Sequence, residues 1–311
     1  MTEFGFIESI KTLFEGVPLN NFEGIGDDCA VLPIGQNDSL VFTSDMLVED
    51  IHFTRSSISP FDLGHKSLSV NLSDVAAMGA QPTATLLSLS LPKALPEGWA
   101  AEFMRGYHSL SRKHGVALVG GDTTASTGQI TINVTAIGKA PNTQIKRRSG
   151  AKVGDIIVVT GRLGDSAAGL KELLAGDINS PLASIHYCPT PRIEEGVWLG
   201  QQPSVHAMMD ISDGVASDIR HIISQSGVGA RIDVESLPTQ HSAQVALCGG
   251  EDYELLFTVD PQEAVEVISL FEEKFSTQIT PIGEIIDNHN IMEWHANGLK
   301  IDSDFMGFRH F

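Results

Sequence analysis

Apolar positions in the first half of the chain follow two different periods, and these periods predict alternating strands and helices. Leucine alternates with serine in one segment, and isoleucine or valine alternates with threonine or asparagine in another, as in half-buried strands. Two longer segments repeat apolar residues at helical spacing, and a glycine after each predicts the helix end. The predicted strands are 40–43, 84–91, 116–119 (buried) and 130–136, and the predicted helices are 66–78, ended by Gly79, and 99–114, ended by Gly115.

The character of the chain changes between 140 and 154, where it becomes polar, basic and rich in turn residues. We take this segment as a domain boundary, with an N-terminal domain over 1–140 and a C-terminal domain over 149–311. A length of 311 residues also favours two domains. Strands and helices alternate again beyond the boundary, so the predicted fold class is α/β with mixed sheets. The predicted strands there are 155–160, 230–234 and 253–259, and the predicted helices are 166–174, 214–225 and 261–275.

The charge balance excludes several classes of partner. The chain has 20 Lys and Arg against 39 Asp and Glu, a formal charge of −19. Such an excess of acid disfavours nucleic acid, which requires clustered basic residues, and it repels anionic membrane surfaces. No signal peptide pattern and no apolar run near the roughly 18 residues of a membrane span is found. With 3 cysteines and no CxxC pair, we expect a cytoplasmic globular protein.

Acidic residues recur at the ends of glycine turns and predicted strands, where ligands gather in open α/β sheets. Carboxylates with hydroxyl neighbours are hard oxygen donors of the kind that Mg²⁺ prefers, usually together with substrate phosphates. No zinc-type cluster of Cys and His accompanies them. The acids are Asp27 and Asp28 after Gly26, Asp45 after the strand 40–43, Asp122 after a Gly-Gly pair, Asp210 and Asp213 before Gly214, and Glu251 after a second Gly-Gly pair.

Each of these acids, taken alone, also has a purely structural interpretation. Turn residues, exposed acids and helix N-caps account for Asp27, Asp28, Asp45, Asp122, Asp210 and Ser212 one by one. Asp74 differs, because a carboxylate inside a predicted apolar helix is costly unless it is paired or bound to metal. The turn at 161–166 lacks the Walker lysine, so it is as readily a tight strand-to-helix connection as a phosphate site. Several acids together favour a site for phosphate and more than one metal ion.

Eight short segments carry a family resemblance that no single one of them would support. They are GIGDDCAVL (24–32), TSDMLVEDIHF (43–53), KSLSVNLSDVAAMGAQP (66–82), GGDTT (120–124), RSGAKVGD (148–155), TGRLGDSAAGL (160–170), DISDGVASD (210–218) and GGEDYELLF (249–257). In this order, over most of the chain, they resemble the thiamine-monophosphate kinase family. That family belongs to the superfamily of aminoimidazole-ribonucleotide synthetase and selenophosphate synthetase.

The resemblance implies a fold, a reaction and cofactors. It implies two α/β domains arranged as in aminoimidazole-ribonucleotide synthetase, with the N-terminal domain forming a homodimer through its strands. It implies transfer of the γ-phosphoryl group of ATP to thiamine monophosphate, which gives thiamine diphosphate and ADP. Several Mg²⁺ ions would serve as cofactors, with ATP as co-substrate and K⁺ as a further candidate ion.

The resemblance also implies roles for particular residues. Its metal ligands fall on Asp28, Thr43, Ser44, Asp45, Asp74, Asp122, Asp210 and Asp213. Its ATP contacts fall on Gly121, Asp122, Arg148 and Ser212. Its thiamine-phosphate contacts fall on His52, Glu251 and Phe308, the last of which is often tyrosine or tryptophan in the family. Taken by themselves, Arg148 also fits a solvated linker arginine, His52 a surface histidine and Glu251 a turn acid.

The implied chemistry agrees with the absence of an evident acid–base pair from the sequence. A phosphate monoester has a second pKa of about 6, so near neutral pH the acceptor is already a nucleophilic dianion. The remaining problem is repulsion between two phosphates, which metal ions and a fixed arginine would offset. Two alternatives stay open. One is a sister enzyme of the superfamily with another acceptor, such as selenide or an amide, and the other is a non-catalytic nucleotide- or metal-binding protein.

Overall fold

The structure, a computed structural model, describes residues 3–303 and 305–307, which form two mixed sheets flanked by helices. The first half contains α1 (Glu3–Leu13), β1 (Ala30–Ile34), β2 (Asp38–Val48), α2 (Pro60–Ala77), β3 (Gln81–Pro92), α3 (Trp99–His114), β4 (Ala117–Ser126) and β5 (Thr131–Pro141). The second half contains β6 (Ile156–Thr160), α4 (Asp165–Leu174), α5 (Pro181–Tyr187), α6 (Ile193–Gly200), β7 (Val205–Asp210), α7 (Val215–Ser226), β8 (Gly229–Asp233), α8 (Ala243–Cys248), β9 (Leu255–Val259), α9 (Ala264–Lys274), β10 (Ile279–Ile286), β11 (Met292–Ala296) and β12 (Leu299–Ile301).

The first sheet has the strand order β1-β2-β5-β3-β4, and only the β3–β4 pair is parallel. Helices α2 and α3 pack against each other and bury the inward residues of β5 in a shared apolar cluster. The start of α2 is fixed by Ser59, whose side chain accepts a hydrogen bond from the Asp62 N–H, and by Pro60 in the first turn. The end of α3 is fixed by Gly115, whose φ of +67° suits a glycine cap.

The second sheet has the order β12-β11-β8-β10-β6-β9-β7 and is antiparallel except for the β11–β8 pair. Its centre consists of continuous apolar strands, since every residue of β9 is buried. Helix α7 packs on one face of this sheet. Helix α9 packs through Phe271 into a separate apolar cluster with β7 and β9.

Helix α2 lies between the two halves of the molecule. It contacts α3, β5 and β2 of the first half and α5, α6 and β7 of the second. Its apolar positions Leu68 and Leu72 share one cluster with Tyr187 and Ile193 from the second half. A helix packed on both sides has few positions that meet solvent, so any ionisable residue on it requires a partner.

The α/β class with mixed sheets is confirmed, and most predicted elements are present with shifted ends. Helix α2 begins at Pro60 rather than at 66, and β2 runs on to Val48, so Asp45 lies within a strand and not after one. The strand predicted at 116–119 is β4, but the prediction that it is buried was wrong because almost the whole strand is exposed. Among the described residues, none of the helices combines the length and apolarity needed to cross a membrane.

Candidate active site

Carboxylates from both halves of the molecule converge beside the C-terminal half of α2. Asp74 comes from α2, Asp28 from the turn before β1 and Asp210 from the last position of β7. Each of the three offers an oxygen, and these oxygens lie within 4.8 Å of one another. The structure therefore brings together three of the predicted metal ligands, which are far apart in sequence.

Specific donors hold the three carboxylates in place. The Thr43 hydroxyl of β2 donates to Asp74, and the Ser73 hydroxyl donates to Asp210 Oδ2 at 2.6 Å. The Arg148 guanidinium donates to Asp28 Oδ1 at 2.5 Å. Oδ2 of Asp28 is buried and has no hydrogen-bond partner among the described residues.

These contacts rule out several of the purely structural interpretations that the sequence allows for single residues. The Asp28 side chain is only 1% exposed, so it does not face water, and Arg148 is paired with it rather than solvated. Asp210 and Ser212 do not cap α7, because its N-cap is Gly214 and no side chain bonds there. Asp45 lies on the same face of β2 as Thr43, two residues away, and its backbone N–H donates to the Asn71 side chain at 3.2 Å.

The carboxylates of this cluster resist ionisation in the absence of a cation. Burial and then the charge of Asp28 raise the pKa of Asp210 to about 8. Burial raises the pKa of Asp45 to about 6, with a further contribution from Asp28. Burial and the charges of Asp45 and Asp210 raise the pKa of Asp74 well above its usual value. Buried like charges at this density are stable only with protons or with a cation between them.

We predict that the metal-free protein loses stability as the pH rises from about 4 to about 8. Unfolded aspartate ionises near pH 4, whereas folded Asp210 keeps its proton to about pH 8. Between these values the folded state binds more protons than the unfolded state, so the free energy of unfolding falls with rising pH. Adding Mg²⁺ should therefore raise Tm by several degrees more at pH 8 than at pH 6.

Differential scanning calorimetry in EDTA and in Mg²⁺ measures both effects. Asp210→Asn is the matched variant, because it removes the carboxyl whose pKa is raised to about 8, so the pH dependence of stability should become weaker. An equal Mg²⁺ increment at pH 6 and pH 8 in the unsubstituted protein would contradict the prediction.

A cavity of about 810 Å³ opens beside the carboxylate cluster. Asp45 and Asp74 line it, together with apolar residues of α4 and of the segment after β2. The loops 211–214 and 249–254 form one wall and pack backbone to backbone. A Cβ on Gly250 would lie 2.6 Å from the Ser212 carbonyl oxygen, and one on Gly214 would lie 2.8 Å from that of Gly249. Glycine is required at both positions for this contact.

Glu251 lies in the cavity wall and forms an ion pair with a lysine from the opposite domain. Lys66 on α2 is 1% exposed and donates from Nζ to Glu251 Oε2 at 2.9 Å. His186 of α5 completes the group, with Nε2 3.4 Å from Lys66 Nζ and Nδ1 3.3 Å from Glu251 Oε2. Burial opposes ionisation of Glu251, but the charge of Lys66 and the hydrogen bond from its ammonium hold the pKa of Glu251 below the usual value. Glu251 is therefore an oriented carboxylate and not a free turn acid.

His186 is neutral beside the Lys66 ammonium. Burial, followed by the charge of Lys66, lowers the pKa of His186 to about 4. Because Nε2 faces the Lys66 ammonium, we assign the ring proton to Nδ1, which faces Glu251 and lies 3.0 Å from the Ser166 hydroxyl. The group thus joins α2, α4, α5 and the 249–254 loop.

The remaining predicted site residues divide into two sets. His52, Ser212 and Asp213 line the cavity, so the structure brings them to the same site as Glu251. Ser44, Gly121 and Asp122 do not join the carboxylate cluster. Ser44 borders the cavity, but its hydroxyl lies on the opposite face of β2 from Thr43, with Thr135 and Asn133. Phe308 lies outside the described residues.

Asp122 stands on β4, three strands away from β2. Register pairs Met46 of β2 with Asn133, Asn133 with Ser88, and Ser88 with Asp122. At about 4.8 Å per strand, roughly 14 Å separates Asp122 from β2 within one chain. Met46, Ser88, Asn133 and Asp122, with Ser44 beside them, define the open face of the first sheet, opposite α2.

Sequence reasoning missed Lys66, His186 and Tyr253, all of which the structure places in the cavity wall. Lys66 carried a detectable signal, since it interrupts the same apolar helix that singled out Asp74. Tyr253 carried no such signal, because the sequence pattern predicts it at the start of the strand 253–259. Strand β9 begins at Leu255 instead, and Tyr253 has a φ of +50° in the preceding loop.

Comparison with known proteins matches both halves of the chain. The family model described as AIR synthase related protein, N-terminal domain, matches residues 26–140, and the corresponding C-terminal domain matches 152–295. The chain is similar to the thiamine-monophosphate kinase of Buchnera aphidicola subsp. Acyrthosiphon pisum, at 36% identity over 100% of this chain and 99% of the relative. It is also similar to that of Salmonella typhimurium, at 39% identity over 93% and 91%.

A solved structure shares the whole architecture. AaThiL complexed with AMPPCP and TMP matches with a TM-score of 0.84 and 33% identity, covering 100% of this chain and 97% of that chain. Two domains of the AIR synthase related type, in this order, are therefore present here.

Proposed function

The chain belongs to the thiamine-monophosphate kinase family, and we propose that it transfers the γ-phosphoryl group of ATP to the phosphate of thiamine monophosphate. The products are thiamine diphosphate and ADP. The observation that carries the proposal is a cavity lined by two kinds of acidic group. Asp74 belongs to the buried carboxylate cluster (Asp28, Asp74, Asp210), and Glu251 is oriented in the wall by Lys66.

The carboxylate cluster fits divalent metal ions. Its donors are hard oxygens, and Asp28 Oδ2 is buried without a partner among the described residues. Burial, and then the charges of neighbouring aspartates, raise the pKa of Asp74 and Asp210, as expected for carboxylates that lack a cation. We assign Mg²⁺ to Asp28, Asp45, Asp74 and Asp210, with Asp213 and Thr43 as further ligands. When bound, Mg²⁺ neutralises phosphate charge and favours in-line transfer. Titration with Mg²⁺ and with K⁺ determines the number of ions and whether K⁺ is among them.

The protein's own residues account for binding and alignment. Arg148, held by Asp28, presents a fixed guanidinium to an ATP phosphate. Ser212 offers its hydroxyl to ATP from the 211–214 loop. His52 and Glu251 face the acceptor, and Glu251 favours the cationic thiazolium ring by charge. No general base is required, because the acceptor phosphate is a dianion near neutral pH. We place the reaction in the cytoplasm, in keeping with three free cysteines.

We propose that the enzyme is a homodimer that pairs through the open face and the β4 edge. Strand β4 is an edge strand with exposed apolar side chains, Leu118 at 42% and Val119 at 61%. Leu86 of β3 and Met46 of β2 add apolar area on the same sheet. An exposed edge of this length and apolarity is usually covered. A second copy would bring its Asp122 and Gly121 to a site that they cannot reach within their own chain.

An acceptor panel tests the proposed function. ADP release from ATP and Mg²⁺ is measured with thiamine monophosphate, free thiamine, selenide or no acceptor. We expect ADP only with thiamine monophosphate, since free thiamine presents an alcohol and the site offers it no base. ADP release with selenide or without acceptor would favour the sister enzyme, and nucleotide binding without any ADP would favour the non-catalytic alternative.

Replacing Glu251 by glutamine is expected to raise KM for thiamine monophosphate by about 3- to 10-fold, as for a partly screened charge pair. KM for ATP should stay unchanged, because the proposed role of Glu251 is limited to the acceptor. Steady-state kinetics with each substrate varied measures both constants. Glu266→Gln, at an exposed position of α9, is the matched control. An unaltered KM for thiamine monophosphate would contradict the proposed charge attraction between Glu251 and the thiazolium ring.

A further inference from the structure

The Tyr253 side chain is buried, yet it contributes to none of the apolar clusters found among the described residues. It is 8% exposed and lines the cavity together with Asp45, Asp74 and Glu251. The four apolar clusters of the molecule do not include it. A large aromatic residue buried beside carboxylates, and not in a core, requires an explanation other than packing.

The backbone at this position is held in an unfavourable conformation by specific contacts. Tyr253 has a φ of +50° and Glu251 a φ of +65°, in the left-handed region that non-glycine residues avoid. The Tyr253 N–H donates to the Ile211 carbonyl at 2.9 Å, and the Glu251 N–H donates to the Ser212 carbonyl at 2.7 Å. These bonds fix the 249–254 loop against the loop after Asp210, so both side chains reach the cavity.

Among the residues that the structure describes, no acceptor receives a hydrogen bond from the Tyr253 hydroxyl, and Tyr253 lines the cavity. A tyrosine hydroxyl beside a cavity can donate to a molecule bound there. Burial and the charges of Glu251, Asp45 and Asp210 raise the pKa of Tyr253 well above its usual value. The phenol therefore keeps its proton over the whole working range and is available to donate.

We propose that Tyr253 is a catalytic residue whose hydroxyl donates a hydrogen bond to a non-bridging oxygen of the transferring phosphoryl group. The inference rests on the proposed function and adds a residue to it. The bond from the γ-phosphorus to its bridging oxygen breaks, and a bond to an acceptor phosphate oxygen forms. Tyr253 neither gains nor loses a proton. Its hydrogen bond stabilises charge on the transferring group beside carboxylates that would otherwise repel it.

Tyr253→Phe tests the inference, because it removes one oxygen and keeps the ring. We expect kcat to fall by about 10- to 100-fold, with KM for both substrates changed by less than about 3-fold. A second readout is the affinity for ADP, Mg²⁺ and aluminium fluoride, a mimic of the transferring group, measured by calorimetry. That affinity should fall in parallel, while the affinity for ADP and Mg²⁺ alone should stay the same.

Tyr107→Phe is the matched control, since Tyr107 packs in the apolar cluster around α2, does not line the cavity, and donates its hydroxyl to Thr85. A Tyr253→Phe enzyme with kcat within about 2-fold of the unsubstituted one would overturn the proposal. A Tyr253→Phe enzyme with a lower affinity for ADP and Mg²⁺ alone and a lower Tm would overturn it as well, because these two losses indicate a structural role. If the unsubstituted protein forms no thiamine diphosphate, the proposed function fails. The aluminium fluoride comparison then decides on Tyr253 by itself.

Discussion

Replacing Asp74 by asparagine is expected to lower the rate of thiamine diphosphate formation by at least about 1000-fold. Asp74 receives the Thr43 hydroxyl and shares its site with Asp28 and Asp210, so it is central to the proposed metal cluster. Asparagine keeps the shape but removes the charge that would hold Mg²⁺. Steady-state rates at saturating ATP and Mg²⁺ measure the effect.

The same substitution should leave the metal-free protein at least as stable as before. Neutral asparagine relieves the repulsion that raises the pKa of Asp74 and its neighbours. Loss of activity with an equal or higher Tm in EDTA therefore separates a functional role from a folding defect. Asp62→Asn, at the first turn of the same helix, is the matched control and should keep full activity. Substantial activity in the Asp74→Asn enzyme would contradict the metal assignment.

Mixing two inactive variants is expected to restore activity if Asp122 serves the partner's site. Asp74→Asn and Asp122→Asn each disable both sites of a homodimer. In a mixed dimer, one site combines the intact Asp74 of one subunit with the intact Asp122 of the other. A statistical mixture should recover about a quarter of the unsubstituted activity. Differently tagged subunits, unfolded and refolded together, allow the mixed dimer to be isolated.

The control for this experiment is a mixture of Asp74→Asn with Asp210→Asn. Both residues lie in the same cluster of one chain, so the mixed dimer contains no intact site. An isolated mixed dimer of Asp74→Asn and Asp122→Asn that stays inactive would contradict the role of the β4 edge. An enzyme that is active as a monomer would contradict this role as well.

Local signals in the sequence were sufficient for the helices with clear ends. Gly79 and Gly115 marked the ends of α2 and α3 because a left-handed glycine there is a local requirement. The start of α2 at Pro60 was missed, although Ser59 and Pro60 are a common start signal. Strand β7 was missed because it pairs only with β9, far away in sequence, and such pairing leaves no local pattern.

The carboxylates were found because a charge on an apolar helix or after a glycine turn is unusual by itself. Their convergence was not visible, since Asp28 and Asp210 meet Asp74 only through the packing of α2 between the two halves. The exposure of Asp122 could not be predicted either. Apolar residues on an exposed edge strand give the same local pattern as those on a buried strand, so the pattern alone does not distinguish the two.

The most direct test of the account is the stoichiometry of the reaction. ATP, Mg²⁺ and thiamine monophosphate are incubated with the enzyme, and ADP and thiamine diphosphate are quantified by mass in the same samples. The account predicts that the two products appear in equal amounts and that neither forms when thiamine monophosphate is withheld. ADP that forms without thiamine diphosphate would contradict direct transfer to this acceptor, whatever the fold.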